Sequence, residues 1–172
     1  MSKPNKIVLV GFMGSGKTTL GKKLAKKLGY AFIDLDEAIE QHEQQPISVI
    51  FKNAGEHYFR TVEQKILHEK LGANQPLVLS VGGGTPCFFD NMEFINKQAT
   101  SIYLKYNAGI LYSRLSSAKA KRPLLTEKSD EELKDSIKKT LSEREGFYNQ
   151  SKIVVESNNI TVDTILHQLD VK

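Results

Sequence analysis

The sequence predicts an α/β protein with a mostly parallel sheet covered by helices on both faces. Two observations carry that prediction. Five short apolar runs, at residues 7–10, 31–33, 77–81, 101–104 and 153–155, have the length of buried strands, and amphipathic segments separate them. After the first run stands Gly11-Phe12-Met13-Gly14-Ser15-Gly16-Lys17-Thr18, which fits G-x-x-x-x-G-K-[ST] and lies between a strand and a helix. No repeat or low-complexity linker interrupts the alternation, and 172 residues suit a single domain over 1–172.

The first strand, 7–10, reads Ile-Val-Leu-Val. Beyond the glycine-rich loop, Leu20, Leu24 and Leu28 recur every fourth residue on one helical face, and Gly29 is placed to end that helix. Gly11, Gly14 and Gly16 remove side chains that would hold the backbone away from an anion. Backbone N–H groups and the helix N-terminus then face negative charge. In such a loop Lys17 reaches β- and γ-phosphates and the Thr18 hydroxyl ligates Mg²⁺.

Ligands of open parallel sheets bind beyond the carboxyl ends of the strands, so the residues after each strand matter most. The second strand runs into Asp34-Leu35-Asp36. Extended alternation would point both carboxylates the same way, and Asp36 would cap a helix that begins there. Functionally, Asp34 suits the hydration shell of Mg²⁺, and Asp36 suits acceptance of a hydrogen bond, or the proton, from a substrate hydroxyl. The third strand is followed by Gly82-Gly83-Gly84-Thr85-Pro86, where three glycines admit a ligand close to the backbone. Cys87 has no histidine near it in sequence and does not read as a catalytic thiol.

After the fourth strand and its helix, residues 116–128 contain the basic, proline-broken Lys119-Ala120-Lys121-Arg122-Pro123-Leu124-Leu125. This reads as a lid, with Arg122 neutralising charge on a transferring phosphoryl group. Leu133, Ile137, Leu141, Arg144 and Tyr148 share one face of the next helix, and Ser129 with Glu132 forms a capping box at its start. Arg144 on that apolar stripe needs an anion, from a protein carboxylate or a ligand. Arg60 precedes Glu63 by three residues, so the two touch on a helix, and Glu63 can orient Arg60 toward a substrate carboxylate. The fifth strand, 153–155, is followed by Val162, Ile165, Leu166 and Leu169 on a closing helix.

Composition narrows the partners. The charge of +4, from 24 basic and 20 acidic residues without interleaved aromatics, points to no nucleic acid and suits an anionic small molecule. One cysteine allows no internal disulfide and fits a reducing, cytoplasmic setting. No signal peptide and no apolar run of about 20 residues argues against export and against a membrane. His42, His57, His68 and His167 are too scattered for metal ligands.

Taken together, Gly11–Thr18, the Asp34/Asp36 pair, Phe59-Arg60-x-x-Glu63, Gly82-Gly83-Gly84, Arg122-Pro123-Leu124-Leu125 and Arg144-x-x-x-Tyr148 resemble the shikimate kinase family in order along nearly the whole chain. The resemblance implies a three-layer P-loop kinase fold with sheet order 2-3-1-4-5 and a mobile lid at about 116–128. It implies transfer of the γ-phosphoryl of ATP to the 3-hydroxyl of shikimate by a monomer, on the pathway to chorismate. By the same likeness Gly14, Ser15, Gly16, Lys17, Thr18, Thr19, Arg122 and Asn158 bind nucleotide, and Thr18 and Asp34 serve Mg²⁺. Asp36, Arg60, Gly82, Gly83, Gly84 and Arg144 hold shikimate, and Phe51, Phe59, Pro123 and Leu124 line its pocket. Lys17, Asp36 and Arg122 are then the catalytic set. Many members also carry an arginine before the lid that stacks on adenine, and Arg114 stands nearest that place.

Two rivals remain at this level. A gluconate kinase of the same fold would lack the trio Asp36, Arg60 and Arg144. A nucleotide-binding module without catalysis would lack Lys17, Asp36 or Arg122. All are present.

Overall fold

The computed structural model describes residues 4–118 and 129–170. Its centre is a five-stranded sheet of β1 (Lys6–Val10), β2 (Ala31–Asp34), β3 (Leu77–Ser80), β4 (Thr100–Lys105) and β5 (Ile153–Glu156). The spatial order is β2-β3-β1-β4-β5 and every neighbouring pair is parallel. Register is set at the centre: Val8 lies opposite Leu79 on one side and Ser101 on the other. Residues Ile7 to Val10 and Leu77 to Ser80 are wholly buried, as strands covered on both faces must be. The edge strands β2 and β5 are more exposed and shorter than β4.

Helices α1 (Lys17–Leu28), α2 (Leu35–Glu43), α3 (Ile47–Gly72), α4 (Asn91–Gln98), α5 (Ala108–Ser117), α6 (Asp130–Tyr148) and α7 (Val162–Gln168) cover the sheet. Gly29 ends α1 in the left-handed region and donates to the carbonyls of Ala25 and Lys26, as the sequence anticipates. The capping box on α6 forms in both directions: Glu132 N donates to Ser129 Oγ, and Ser129 N to Glu132 Oε2. Helix α3 is two helices joined at Gly55, whose φ of 81° and ψ of 173° only glycine adopts readily. Across that kink the rings of Phe51 and Phe59 pack at a tilt, with centroids 4.7 Å apart.

Strand ends decide where chemistry can occur. The carboxyl ends of β1, β2 and β3 lead into the glycine-rich loop, Asp34 and the triple glycine, and the sheet order places β3 between β2 and β1. Three loops distant in sequence thus open at one edge.

Candidate active site

A cleft of about 660 Å³ opens there. Its floor is the loop from Met13 to Thr19, and Asp34, Asp36, Ser80 to Gly83, Arg114 and Arg144 complete it. Gly11, Gly14 and Gly16 all have positive φ, so the loop bends as only glycine permits and its N–H groups turn inward. Lys17 Nζ donates to the carbonyls of Gly11 at 2.7 Å and Phe12 at 3.0 Å, which parks the ammonium across the loop mouth. Ser15 Oγ is fully buried without a hydrogen-bond partner among the described residues.

Asp34 differs from its sequence expectation in one respect. Strand β2 ends at Asp34 and the chain turns at once into α2, so the two carboxylates do not converge by extended alternation. Asp34 rather than Asp36 is the cap: its Oδ1 accepts from the N–H groups of Asp36 at 3.1 Å and Glu37 at 3.4 Å. Its Oδ2 accepts from the Thr18 hydroxyl at 2.7 Å, joining β2 to the phosphate loop. Asp36 sits in the first turn of α2 and faces the cleft. Burial, with the nearby carboxylates of Asp34 and Glu63, raises its pKa to about 6, against the pull of Lys17.

The triple glycine serves a purpose that periodicity cannot show. A Cβ on Gly82 would lie 3.2 Å from Asp36 Oδ1, one on Gly83 would lie 3.1 Å from Arg144 Nη1, and one on Gly84 would lie 2.6 Å from Arg60 Nη2. Each glycine therefore makes room for a different functional side chain. Tyr148, fully buried, donates its hydroxyl to Gly83 O at 2.6 Å. Desolvation pushes its pKa up to about 12, so it stays a neutral donor.

Arg60 and Glu63 form a buried pair at 2.8 Å, not a surface one. Glu63 is 1% exposed and its other oxygen accepts from Thr85 Oγ1 at 2.7 Å. Asn91 in turn donates to Thr85 O at 2.9 Å. The Arg60 guanidinium also reaches Glu56 at 3.3 Å and stacks on Phe88 at 4.0 Å. Arg144 is arranged differently. Among the described residues no carboxylate lies within ion-pair distance, and its cation stands 6.0 Å from the Phe12 ring. Of the two anions the sequence allows for it, the described structure offers no protein carboxylate.

The structure thus brings Gly14, Gly16, Lys17, Thr18, Thr19, Asp34, Asp36, Gly82, Gly83 and Arg144 around one cleft. Arg60, Gly84 and Phe59 pack behind its wall, and Phe51 is partly exposed beside Phe59. Asn158 sits in an exposed turn after β5 where Asn159 N donates to Ser157 Oγ; it is not among the described residues that line the cleft. Arg122, Pro123 and Leu124, with most of the expected lid, fall outside the described residues. Residues without a sequence signal are Thr85, Asn91 and Phe88, which hold the Arg60–Glu63 pair from positions 22 to 28 residues away. Only Thr85, beside the glycines, was adjacent to a recognised motif. Burial pushes the pKa of half-buried Cys87 up, which leaves it unactivated.

Comparison with known proteins agrees with this geometry. The family model described as shikimate kinase matches residues 13–170. A shikimate kinase of Azobacteroides pseudotrichonymphae genomovar. CFP2 is 46% identical over 164 residues, covering 95% of this chain and 96% of its own. The crystal structure of shikimate kinase from Bacteroides thetaiotaomicron superimposes with a TM-score of 0.91 at 38% identity, covering 96% of this chain and 98% of that one. Shikimate kinase from Acinetobacter baumannii, solved in complex with shikimate, gives 0.83 at 32% identity over 98% of this chain and 91% of that one. Motif order, sheet order and whole-length likeness agree: the chain belongs to the shikimate kinase family.

Proposed function

We propose that the protein transfers the γ-phosphoryl group of ATP to the 3-hydroxyl of shikimate, giving shikimate 3-phosphate and ADP. The observation that carries this reading is the convergence of a phosphate loop, a raised-pKa carboxylate and an arginine on one cleft. Shikimate carries one carboxylate and three hydroxyls, and the acceptor half of the cleft offers complementary groups. Arg144, with Arg60 behind it, suits the carboxylate through bidentate guanidinium geometry. Asp36 suits the reacting hydroxyl: a carboxylate with a pKa of about 6 is ionised at neutral pH yet a better proton acceptor than an ordinary one. The hydroxyl oxygen bonds to the γ-phosphorus, the bond to the β,γ-bridging oxygen breaks, and the hydroxyl proton passes to Asp36.

The nucleotide phosphates suit the loop from Gly14 to Thr19. Buried Ser15 Oγ lacks a hydrogen-bond partner among the described residues, and Lys17 reaches carbonyls it can exchange for phosphate oxygens. The Thr18 hydroxyl and Asp34 carboxylate form a hard oxygen pair of the kind that holds Mg²⁺ together with substrate phosphates. When bound, Mg²⁺ would neutralise phosphate charge. We assign Arg122 to the transferring phosphoryl group, Asn158 to the nucleotide, and Phe51, Phe59, Pro123 and Leu124 to the walls of the shikimate pocket, on the family likeness. No helix among the described residues is long and apolar enough to cross a membrane. A cytoplasmic monomer is our reading from the family likeness.

The test is ADP release from Mg·ATP with shikimate, with gluconate, and with no acceptor. Stimulation by shikimate alone is expected. Stimulation by gluconate instead would keep the kinase and replace the substrate. A folded sample that binds ATP but shows no acceptor-dependent turnover would leave a nucleotide-binding module.

A further inference from the structure

Two arginines of the cleft are held without a carboxylate among the described residues, and one of them, Arg114, rests on an aromatic ring. Its guanidinium lies 4.1 Å from the centroid of Tyr106. Among the described residues its Nη1 makes long contacts to the carbonyls of Gly14, at 3.4 Å, and Ser15, at 3.5 Å. Arg114 thus stands over the phosphate loop with no carboxylate paired to it among the described residues. An aromatic face fixes the plane of a guanidinium while leaving its edge N–H groups open. A glutamate in the same place would satisfy those donors, as Glu63 does for Arg60.

Tyr106 is 3% exposed and immediately follows β4, the strand beside the phosphate loop's own β1. Its hydroxyl points away from the arginine and accepts from the backbone N–H of Ile160 at 3.0 Å. Ile160 is itself buried and ends the turn after β5 that contains Asn158. One side chain therefore braces α5 through its ring and the β5–α7 connection through its hydroxyl.

We infer that Tyr106 is a positioning residue for nucleotide binding, acting through Arg114. The inference rests on the reading of the cleft as an ATP site. The ring holds the guanidinium where it meets the nucleotide, and the hydroxyl steadies the backbone against which the ring packs. Tyr106 touches no substrate itself.

The experiment measures ATP and shikimate dissociation constants by calorimetry on the full chain. The proteins are wild type, Tyr106→Leu, Tyr106→Phe, Arg114→Ala, Arg114→Lys and the Leu/Ala double variant. Tyr106→Leu is expected to weaken ATP about 5- to 10-fold, the scale of a partly buried cation–π contact, with shikimate binding unchanged. Tyr106→Phe, which keeps the ring, should restore ATP binding to within about twofold of wild type. The double variant should bind ATP no more weakly than Arg114→Ala, because the tyrosine acts through the arginine. Additive losses, or an equal loss for shikimate, would overturn the inference. Should Tyr106→Leu not fold, Arg114→Lys decides: a point charge loses the stacked plane, and wild-type ATP affinity in that variant would refute positioning by the ring. A wild type that does not bind ATP at all would instead remove the nucleotide reading beneath it.

Discussion

The two halves of the cleft are built by opposite means. The phosphate half is one continuous segment, Gly11 to Thr19, shaped by backbone. Its glycines take positive φ, and its lysine returns to carbonyls five and six residues away. The acceptor half comes from four separate places, around residues 36, 60, 83 and 144, and side chains hold it together. Glu63, Thr85 and Asn91 fix Arg60, and Tyr148 fixes Gly83. The backbone-built half binds a group common to many substrates. The assembled half must match the pattern of one acceptor, so it needs contacts that a short segment cannot supply. The difference also appears in charge. Arg60 is neutralised by buried Glu63, whereas Arg144 and Arg114 meet no carboxylate among the described residues and keep their charge for ligands.

Lys17→Ala should break the phosphate half alone, and the effect should be the largest. Turnover is expected to fall about 10³-fold or more, roughly 4 kcal/mol of transition-state stabilisation. The thermal midpoint should move far less than turnover does, because the Gly11 and Phe12 carbonyls that the lysine reaches lie in its own loop. Steady-state kinetics beside a melting curve measures both, and near-normal turnover would remove Lys17 from catalysis.

Asp36→Asn tests the junction between the halves. Turnover should drop about 10²- to 10⁴-fold, the usual range for a lost general base. Stability should change in the opposite direction. The Asp36 pKa is about 6 in the folded chain, against 3.8 for an ordinary aspartate, so between pH 4 and 6 the folded state binds more protons than the unfolded one. Its contribution to stability therefore falls as pH rises through that window, and at pH 7 the ionised carboxylate costs on the order of 3 kcal/mol. The asparagine variant should melt several degrees higher at pH 7 and lose that advantage near pH 4. A lower midpoint at pH 7 would mean that Asp36 is not electrostatically strained. Wild-type turnover should decline as pH falls below about 6, and a rate flat down to pH 5 would argue against proton transfer to this residue.

Arg144→Ala should have the smallest effect and the most selective. Loss of a charged hydrogen-bonding partner is worth about 1.5–3 kcal/mol, so shikimate affinity should fall roughly 10- to 100-fold. ATP affinity should hold, and so should stability, since no described carboxylate is orphaned by the change. Separate titrations of the two ligands distinguish this from the reverse order, which would place Arg144 on the nucleotide.

Much of the phosphate half was legible in the sequence because its determinants are local. Four apolar residues, three glycines and a leucine every fourth position specify strand, turn and helix without distant partners. The capping box at Ser129 and the Gly29 stop are local in the same sense, and both stand in the structure. The Arg60–Glu63 pair was legible as a pair from its spacing, but its burial was not, because Thr85 and Asn91 come from beyond β3. Asp34 and Asp36 read as two carboxylates pointing the same way, with Asp36 as the cap, yet the turn into α2 makes Asp34 the cap. Tyr106 carried no signal, since a tyrosine after a strand acquires its role only when α5 folds back over it.

By itself, then, the sequence determined the alternation of strands and helices, the anion-binding loop and the residue types available for chemistry. These depend on hydrogen bonds and periodicities that close within a few residues. Its motif resemblance also carried the strand order, although no local pattern does. Tertiary structure alone decided which side chain each of Gly82, Gly83 and Gly84 admits, which arginine is neutralised and which carboxylate is strained. Those outcomes depend on distances between segments 20 to 100 residues apart, which exist only once the parallel strands have aligned their carboxyl ends.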